Sequence, residues 1–158
     1  MPSEYPAHHV IATEDPDNPG ARACLAAYYD ELASRFTEGF DPAHYPTSDA
    51  DMRPPAGFLY VARRMTEAIA CAAVVLSGPG TCEIRRMWVA TAARGHGVAR
   101  HLLRHIEDDA RRLGMTTIRL DTNRALVEAH RIYRNAGYSE IARFNDNPYA
   151  HHWFEKKF

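Results

Sequence analysis

The sequence predicts a single α/β domain of the α+β kind, spanning 1–158. Its sheet is mixed, mostly antiparallel, with six to seven strands, about four flanking helices and one central parallel pair. Three observations carry this. Strand-like runs between 58 and 89 succeed one another through hairpin-length connections, which makes them antiparallel neighbours. Two helical stripes after residue 97 alternate with short strands, and a helix between two strands implies a parallel crossover. The chain has 158 residues, 46% hydrophobic and 25% charged, which suits one soluble core.

Each element has its own signal. Residues 8–13 (HHVIAT) read as a short strand, broken by the Asp-Pro and Asn-Pro-Gly of 15–20. From Ala21, the residues Leu25, Tyr28, Tyr29, Leu32 and Phe36 recur at helical spacing. Residues 39–57 hold Pro42, Pro46, Pro54 and Pro55 and allow no regular element. They form either a functional loop or a plain surface connection. Residues 58–62 and 68–76 are strands joined by 63–67, and the second is apolar throughout and so central. Ser77-Gly78-Pro79-Gly80 is a turn, and 81–89 is a third strand. Val98, Leu102, Leu103, Ile106, Ala110 and Leu113 make a helical stripe that Gly114 ends. Residues 115–120 are a strand. Ala125, Ala129, Ile132, Tyr133 and Ala136 mark a second crossover helix stopped by Gly137. Further strands lie at 138–142 and 152–156, with a turn at 145–148 and Trp153 pointing away from its neighbours.

Composition excludes several function classes. A net charge of -1 supplies no global field for nucleic acid, although basic residues cluster between Arg85 and Arg119. Cys24, Cys71 and Cys82 are odd in number and irregularly spaced, so they read as buried thiols of a reducing cytoplasm. No signal peptide or membrane span is expected. No metal is expected either. His8-His9 and His151-His152 point to opposite faces of strands, and Asp15, Asp17, Asp49 and Asp51 lack calcium-loop spacing.

The stretch Arg94-Gly95-His96-Gly97-Val98-Ala99 comes after an apolar run and opens a helix. First-turn N–H groups have no intrahelical partner and sit at the positive end of the helix dipole. Glycines allow close backbone approach, and Arg94 and Arg100 add charge, so the turn reads as a phosphate site. The spacing fits neither a dinucleotide fingerprint nor a P-loop.

The order is strand, Arg-x-x-Gly-x-Ala (Arg94, Gly97, Ala99), helix, strand, then Tyr-x-x-x-Gly-Tyr (Tyr133, Gly137, Tyr138). This resembles the GNAT superfamily of acetyl-CoA-dependent N-acetyltransferases. The resemblance implies that main-chain amides of Gly95, His96, Gly97, Val98 and Ala99 bind the pyrophosphate of acetyl-CoA, the cosubstrate. It implies that the pantetheine arm lies along Met87, Trp88 and Val89, on a strand splayed from its parallel neighbour. An oxyanion would meet a backbone N–H there. A leaving thiolate titrates near about 8.5 and a tyrosine near about 10, so Tyr133, at the family's general-acid position, suits that role; it also suits the core. Glu83 matches the glutamate that serves as base in some members, and reads equally as an acid paired with a nearby arginine. Strand alternation puts Glu83, Arg85, Met87 and Val89 on one face. His130 is a further base or cofactor contact. The family's helix asparagine is replaced by Leu126, and Asn123, one turn earlier, either caps the helix or reaches the cofactor.

The implied activity is acetyl transfer, in a direct ternary complex, to a primary amine of a small molecule or peptide. The alternative is a CoA-binding sensor or interaction module on the same fold. Tyr29 and Phe36 read as acceptor wall or core, and Tyr28 rather as core. Asp41, Asp49 and Asp51 lean towards a cationic acceptor. Nucleic acid and membrane are not expected partners; a homodimer, as in many relatives, is left open.

Overall fold

The computed structural model describes residues 9–44 and 47–158. His8, Tyr45 and Pro46, with the N-terminal residues before them, lie outside the described residues. The chain runs β1 (His9–Thr13), α1 (Pro19–Arg35), β2 (Gly57–Arg64), β3 (Glu67–Gly78), β4 (Thr81–Val89), α2 (Val98–Arg112), β5 (Thr117–Thr122), α3 (Val127–Asn135), β6 (Ser139–Ile141) and β7 (His152–Lys157). The seven strands form one sheet in the order β1-β2-β3-β4-β5-β7-β6. Every pairing is antiparallel except β4 with β5. Among the described residues, three α-helices flank the sheet where about four were expected. The proline-rich connection supplies only short 3-10 turns at Pro42–His44 and Ala50–Met52.

β3 is central because both of its faces are covered. Alanines and a cysteine from Ala70 to Ala73 lie at 0% exposure and let helices approach from either side. On one side Ala21, Cys24 and Leu25 of α1 pack with Leu59, Val61, Cys71 and Ala73. On the other, Val98, Leu102, Leu103 and Ile106 of α2 pack with Tyr60, Ala72, Val74 and Ile84. Each such aliphatic side chain contributes roughly 1.5–3 kcal/mol on burial. The stripe of α2 ends one residue early. Leu113 is the C-cap and 54% exposed, because the helix stops at Arg112 and Gly114 turns the chain with φ 82.

A buried polar cluster fixes the end of α3. Glu107 of α2 accepts from the Tyr138 hydroxyl at 3.0 Å and from Lys156 Nζ at 2.8 Å, and Lys156 also donates to the Ala136 carbonyl at 2.8 Å. Burial and the neighbouring Glu107 carboxylate push the Tyr138 hydroxyl far above the ordinary tyrosine range. Tyr138 donates to α2, and Lys156 of β7 ties the same Glu107 to the end of α3.

Candidate active site

Past Ile84 the central strands part. β4 and β5 pair only through Thr81–Thr117, Cys82–Ile118, Glu83–Arg119 and Ile84–Leu120, while β4 continues to Val89. The cause lies one strand away. The β3–β4 register runs from Ala73 opposite Arg85 to Cys71 opposite Trp88, so β4 carries one extra residue. Arg86 absorbs it with φ 54, a conformation L-residues seldom adopt. Such a bulge bends its strand and re-aims the side chains beyond it.

The bulge corrects the expected alternation. Glu83 and Arg85 share the α1 side of the sheet with Trp88, not with Met87 and Val89. Met87 and Val89 turn to the opposite side and pack on the α2 core.

The splay opens a cleft of about 460 Å³. Met87, Trp88 and Val89 form one wall, and Ala129, Ile132 and Tyr133 of α3 the other. Its end is the glycine turn, where Arg94, Gly95, Gly97, Val98, Ala99 and Arg100 all line the space. Gly95 and Gly97 have φ 82 and 78, and an added Cβ would meet nothing within 4 Å at either. Glycine is needed there for backbone conformation and leaves the approach open. His96 is exposed on the same turn and does not line the cleft.

Acids and bases of three elements cross the rim. Arg94 donates to the Val89 carbonyl at 2.9 Å and pairs with Glu31 of α1. Arg35 pairs with Glu31 at 3.4 Å and with Glu128 of α3 at 2.9 Å. Glu31, Arg35 and Glu128 all line the cleft, and no sequence pattern singled them out.

A second cavity of about 50 Å³ adjoins the first. The two share Tyr28, Met87, Leu126, Ala129 and Tyr133 as walls. Tyr133 is 7% exposed, and its hydroxyl lies 3.8 Å from the Met87 sulfur. Tyr28, read as core, lines both cavities, and Phe36 lines the smaller. Tyr29 lies beneath Arg86, whose guanidinium sits 5.2 Å from the ring centre.

Glu83 lines neither cavity. It is 8% exposed and accepts from Arg85 Nε at 3.0 Å. The carboxylate that lines the smaller cavity is Asp121, at the splayed end of β5. It accepts from Asn145 Nδ2 at 2.6 Å and Asn147 Nδ2 at 3.0 Å. Burial nevertheless raises its carboxyl above the ordinary aspartate value. No sequence pattern singled out Asp121; the 145–148 stretch that supplies Asn145 and Asn147 reads only as a turn.

Asn123 also lines the smaller cavity, but its side chain is engaged. It donates to the Tyr149 carbonyl at 2.8 Å and accepts from the Ala125 N–H at 2.9 Å, shaping the loop before α3 rather than capping the helix. His130 Nε2 donates to the Asn123 carbonyl at 3.0 Å and lines neither cavity. Burial lowers its pKa below the ordinary histidine value. Among the described residues no group of three or more His, Cys, Asp or Glu could hold a metal ion, and no helix is long and apolar enough to cross a membrane.

Comparison with known proteins agrees with this fold. Residues 25–138 match the acetyltransferase (GNAT) family. The chain therefore belongs to the GNAT acetyltransferase family. It is 34% identical over 97 residues to an uncharacterized N-acetyltransferase of Schizosaccharomyces pombe, covering 60% of each chain. It is 35% identical over 99 residues to an IAA acetyltransferase of Azospirillum brasilense, covering 62% of this chain and 63% of the relative. The matches thus span about three fifths of these curated relatives. A GNAT acetyltransferase of Elizabethkingia anophelis, solved with acetyl-CoA bound, superposes with TM-score 0.70 over 96% of this chain and 99% of its own at 16% identity, which speaks for the fold alone.

Proposed function

We propose that this chain is an acetyl-CoA-dependent N-acetyltransferase acting on a primary amine in a direct ternary complex. The observation that carries this reading is the meeting of two cavities at Tyr133. One runs back to a glycine turn suited to phosphate, and the other holds a raised carboxylate.

The residues present fit acetyl-CoA. First-turn N–H groups at Val98, Ala99 and Arg100, with the turn amides of Gly95, His96 and Gly97, would hold its pyrophosphate. The β4 edge beyond Ile84 offers backbone donors and acceptors to an extended arm, as a strand edge does to a peptide. When bound, the thioester supplies the acyl group. An N–H of the Met87–Val89 edge would meet the charge that gathers on the carbonyl oxygen. Tyr133 gives its hydroxyl proton to the departing sulfur as the carbon–sulfur bond breaks and the carbon–nitrogen bond forms.

The amine must lose a proton. Asp121 lines the acceptor side, so we assign it that proton, directly or through water. Glu83 then acts at one remove by holding Arg85.

Tyr133→Phe tests the reading. The variant should keep its CoA-dependent thermal shift and lose about 10²-fold or more in kcat, the lower range for general acid–base catalysis. Absence of any CoA-dependent shift in the wild type would remove the reading. A shift without turnover of any amine would favour a CoA sensor.

A further inference from the structure

The smaller cavity sits where β5 runs on without β4. The last ladder pair is Ile84 with Leu120, and the next two residues, Asp121 and Thr122, both line the cavity. Strand alternation puts them on opposite faces of β5, so the cavity at the strand's open edge is reached from both. Thr122 continues the row of Ile118 and Leu120, which are buried in the α2 core. An apolar residue would suit that row, and valine has almost the shape of threonine. Thr122 is 6% exposed, yet its Oγ1 is buried and has no hydrogen-bond partner among the described residues. Its backbone carbonyl is taken by the His151 N–H at 2.9 Å, and the Asn123 side-chain amide beside it is spent on the Tyr149 carbonyl. A hydroxyl brings one donor and two acceptor lone pairs, and buried ones are ordinarily satisfied.

Asp121 completes the wall. Asn145 and Asn147 each hold one of its carboxylate oxygens, at 2.6 and 3.0 Å, which fixes the group in place. Each oxygen keeps a second lone pair for a further donor. Among the described residues Asp121 is the sole carboxylate on this cavity, and Glu83, Asp41, Asp49 and Asp51 line neither cavity. A volume of about 50 Å³ is too small for the body of an amine substrate. It exceeds the roughly 10–15 Å³ that one water needs, and a bound water also needs at least two polar partners. A hydroxyl and a carboxylate supply them.

We infer that Thr122 is a positioning residue for deprotonation of the acceptor: its hydroxyl and the Asp121 carboxylate hold a water between them in the smaller cavity, and that water carries the proton from the amine to Asp121. The inference rests on the N-acetyltransferase reading above and names the route its proton takes. The amine stays in the larger cleft, at the Met87 and Tyr133 wall that the two cavities share. Its nitrogen gives a proton to the water oxygen as the water gives one of its own to a carboxylate oxygen. Thr122 Oγ1 accepts the water's other hydrogen, which leaves an oxygen lone pair for the amine. The water is regenerated, the nitrogen keeps the electron pair that attacks the thioester, and Asp121 is neutral until it releases the proton to solvent.

The test uses the full chain with acetyl-CoA and a free-thiol readout, on the best acceptor in a panel of primary amines (an alkylamine, an arylalkylamine, a diamine and an amino acid amide). Thr122→Val removes the hydroxyl with little change in shape. Its kcat should fall about five- to tenfold, as expected for loss of one neutral hydrogen bond, while KM for the amine and the CoA-dependent thermal shift are kept. Thr122→Ser keeps a hydroxyl and should stay within about twofold of the wild type. In an Asp121→Asn background Thr122→Val should cost less than about twofold, because both groups serve one proton transfer and their losses do not add. A threonine that merely packs would show the same loss in both backgrounds. Thr122→Ala cannot overpack the site and should match Thr122→Val, so it carries the test if Thr122→Val does not fold. Full kcat without the hydroxyl, a Thr122→Ser variant as impaired as the others, or equal losses in both backgrounds would overturn the relay and leave the N-acetyltransferase reading standing. No turnover of any amine by the wild type would overturn both.

Discussion

The two ends of the cleft are made in different ways. At the donor end, six consecutive residues from Arg94 to Ala99 hold the two positive-φ glycines and open α2. At the proposed acceptor end, Tyr28 and Phe36 come from α1 and its C-cap, Arg85 and Arg86 from the bulge, Asp121 to Asn123 from the β5 end and Asn147, Tyr149 and Ala150 from a distant turn. A local device suits the phosphate proposed for it, since a helix start offers unpaired N–H groups. An assembled device can change one wall at a time. If this division is sound, variants at the two ends should move different measurements.

The largest effect falls at the acceptor end. Asp121→Asn should lower kcat/KM by about 10²-fold or more, within the range for a lost general base. CoA affinity by calorimetry should be unchanged. The pH profile adds a second readout. A base must be ionised, so wild-type activity should fall as pH drops through the raised Asp121 value. That limb should vanish in the variant. The sign for stability is opposite. A raised carboxyl binds its proton more tightly when folded, so its burial costs stability as pH rises from the unfolded value through the folded one, and Asp121→Asn should remove that loss. If Glu83→Gln removes turnover and Asp121→Asn does not, the base is Glu83.

The middle effect belongs to the donor end. Gly97→Ala keeps the turn open, since nothing lies within 4 Å of the new Cβ. It places an L-residue at φ 78, which costs about 1–2 kcal/mol. CoA affinity should fall about tenfold, at 1.4 kcal/mol per tenfold, with kcat at saturating CoA largely kept. A fall in kcat with unchanged affinity would show that the turn and the acceptor cavity act as one unit.

The same division explains how much of the molecule is legible in its sequence. Strand β3, the α2 stripe and the glycine turn arise from spacing and turn chemistry within a few residues, and all stand where expected. The ten cleft residues from Met87 to Val89, Arg94, Gly95, Gly97 to Arg100 and Tyr133 are legible for the same reason. The bulge is not, because Arg85-Arg86-Met87-Trp88 reads as an ordinary strand run. One extra residue reverses the face of everything after it. Asp121 is hidden for a related reason. Its burial comes from pairing opposite Trp153 and from two asparagines more than twenty positions away. His130 and Asn123 sit close to the expected region but are spent on each other's loop. Leu113 shows the limit of periodicity, which marks a stripe and not the residue where the helix stops.

The smallest effect concerns the rim that joins the two ends. Glu31 holds Arg94 at the glycine turn and reaches Arg35, which in turn holds Glu128. Arg94 is 40% exposed at its side chain, so the pair is partly screened by solvent. Such exposed pairs are worth about 0–1 kcal/mol. Glu31→Gln removes one negative charge from a cleft proposed to hold an anionic cosubstrate and releases Arg94 from a carboxylate. CoA affinity should therefore rise by about two- to fivefold at low salt, which corresponds to that energy range. The gain should shrink at about 1 M salt, where the Debye length falls to about 3 Å. kcat should not move, because Glu31 lines the cleft and not the acceptor cavity. A loss of affinity would instead mean that Glu31 serves the donor end by aiming Arg94, and the rim would then belong to the phosphate site itself.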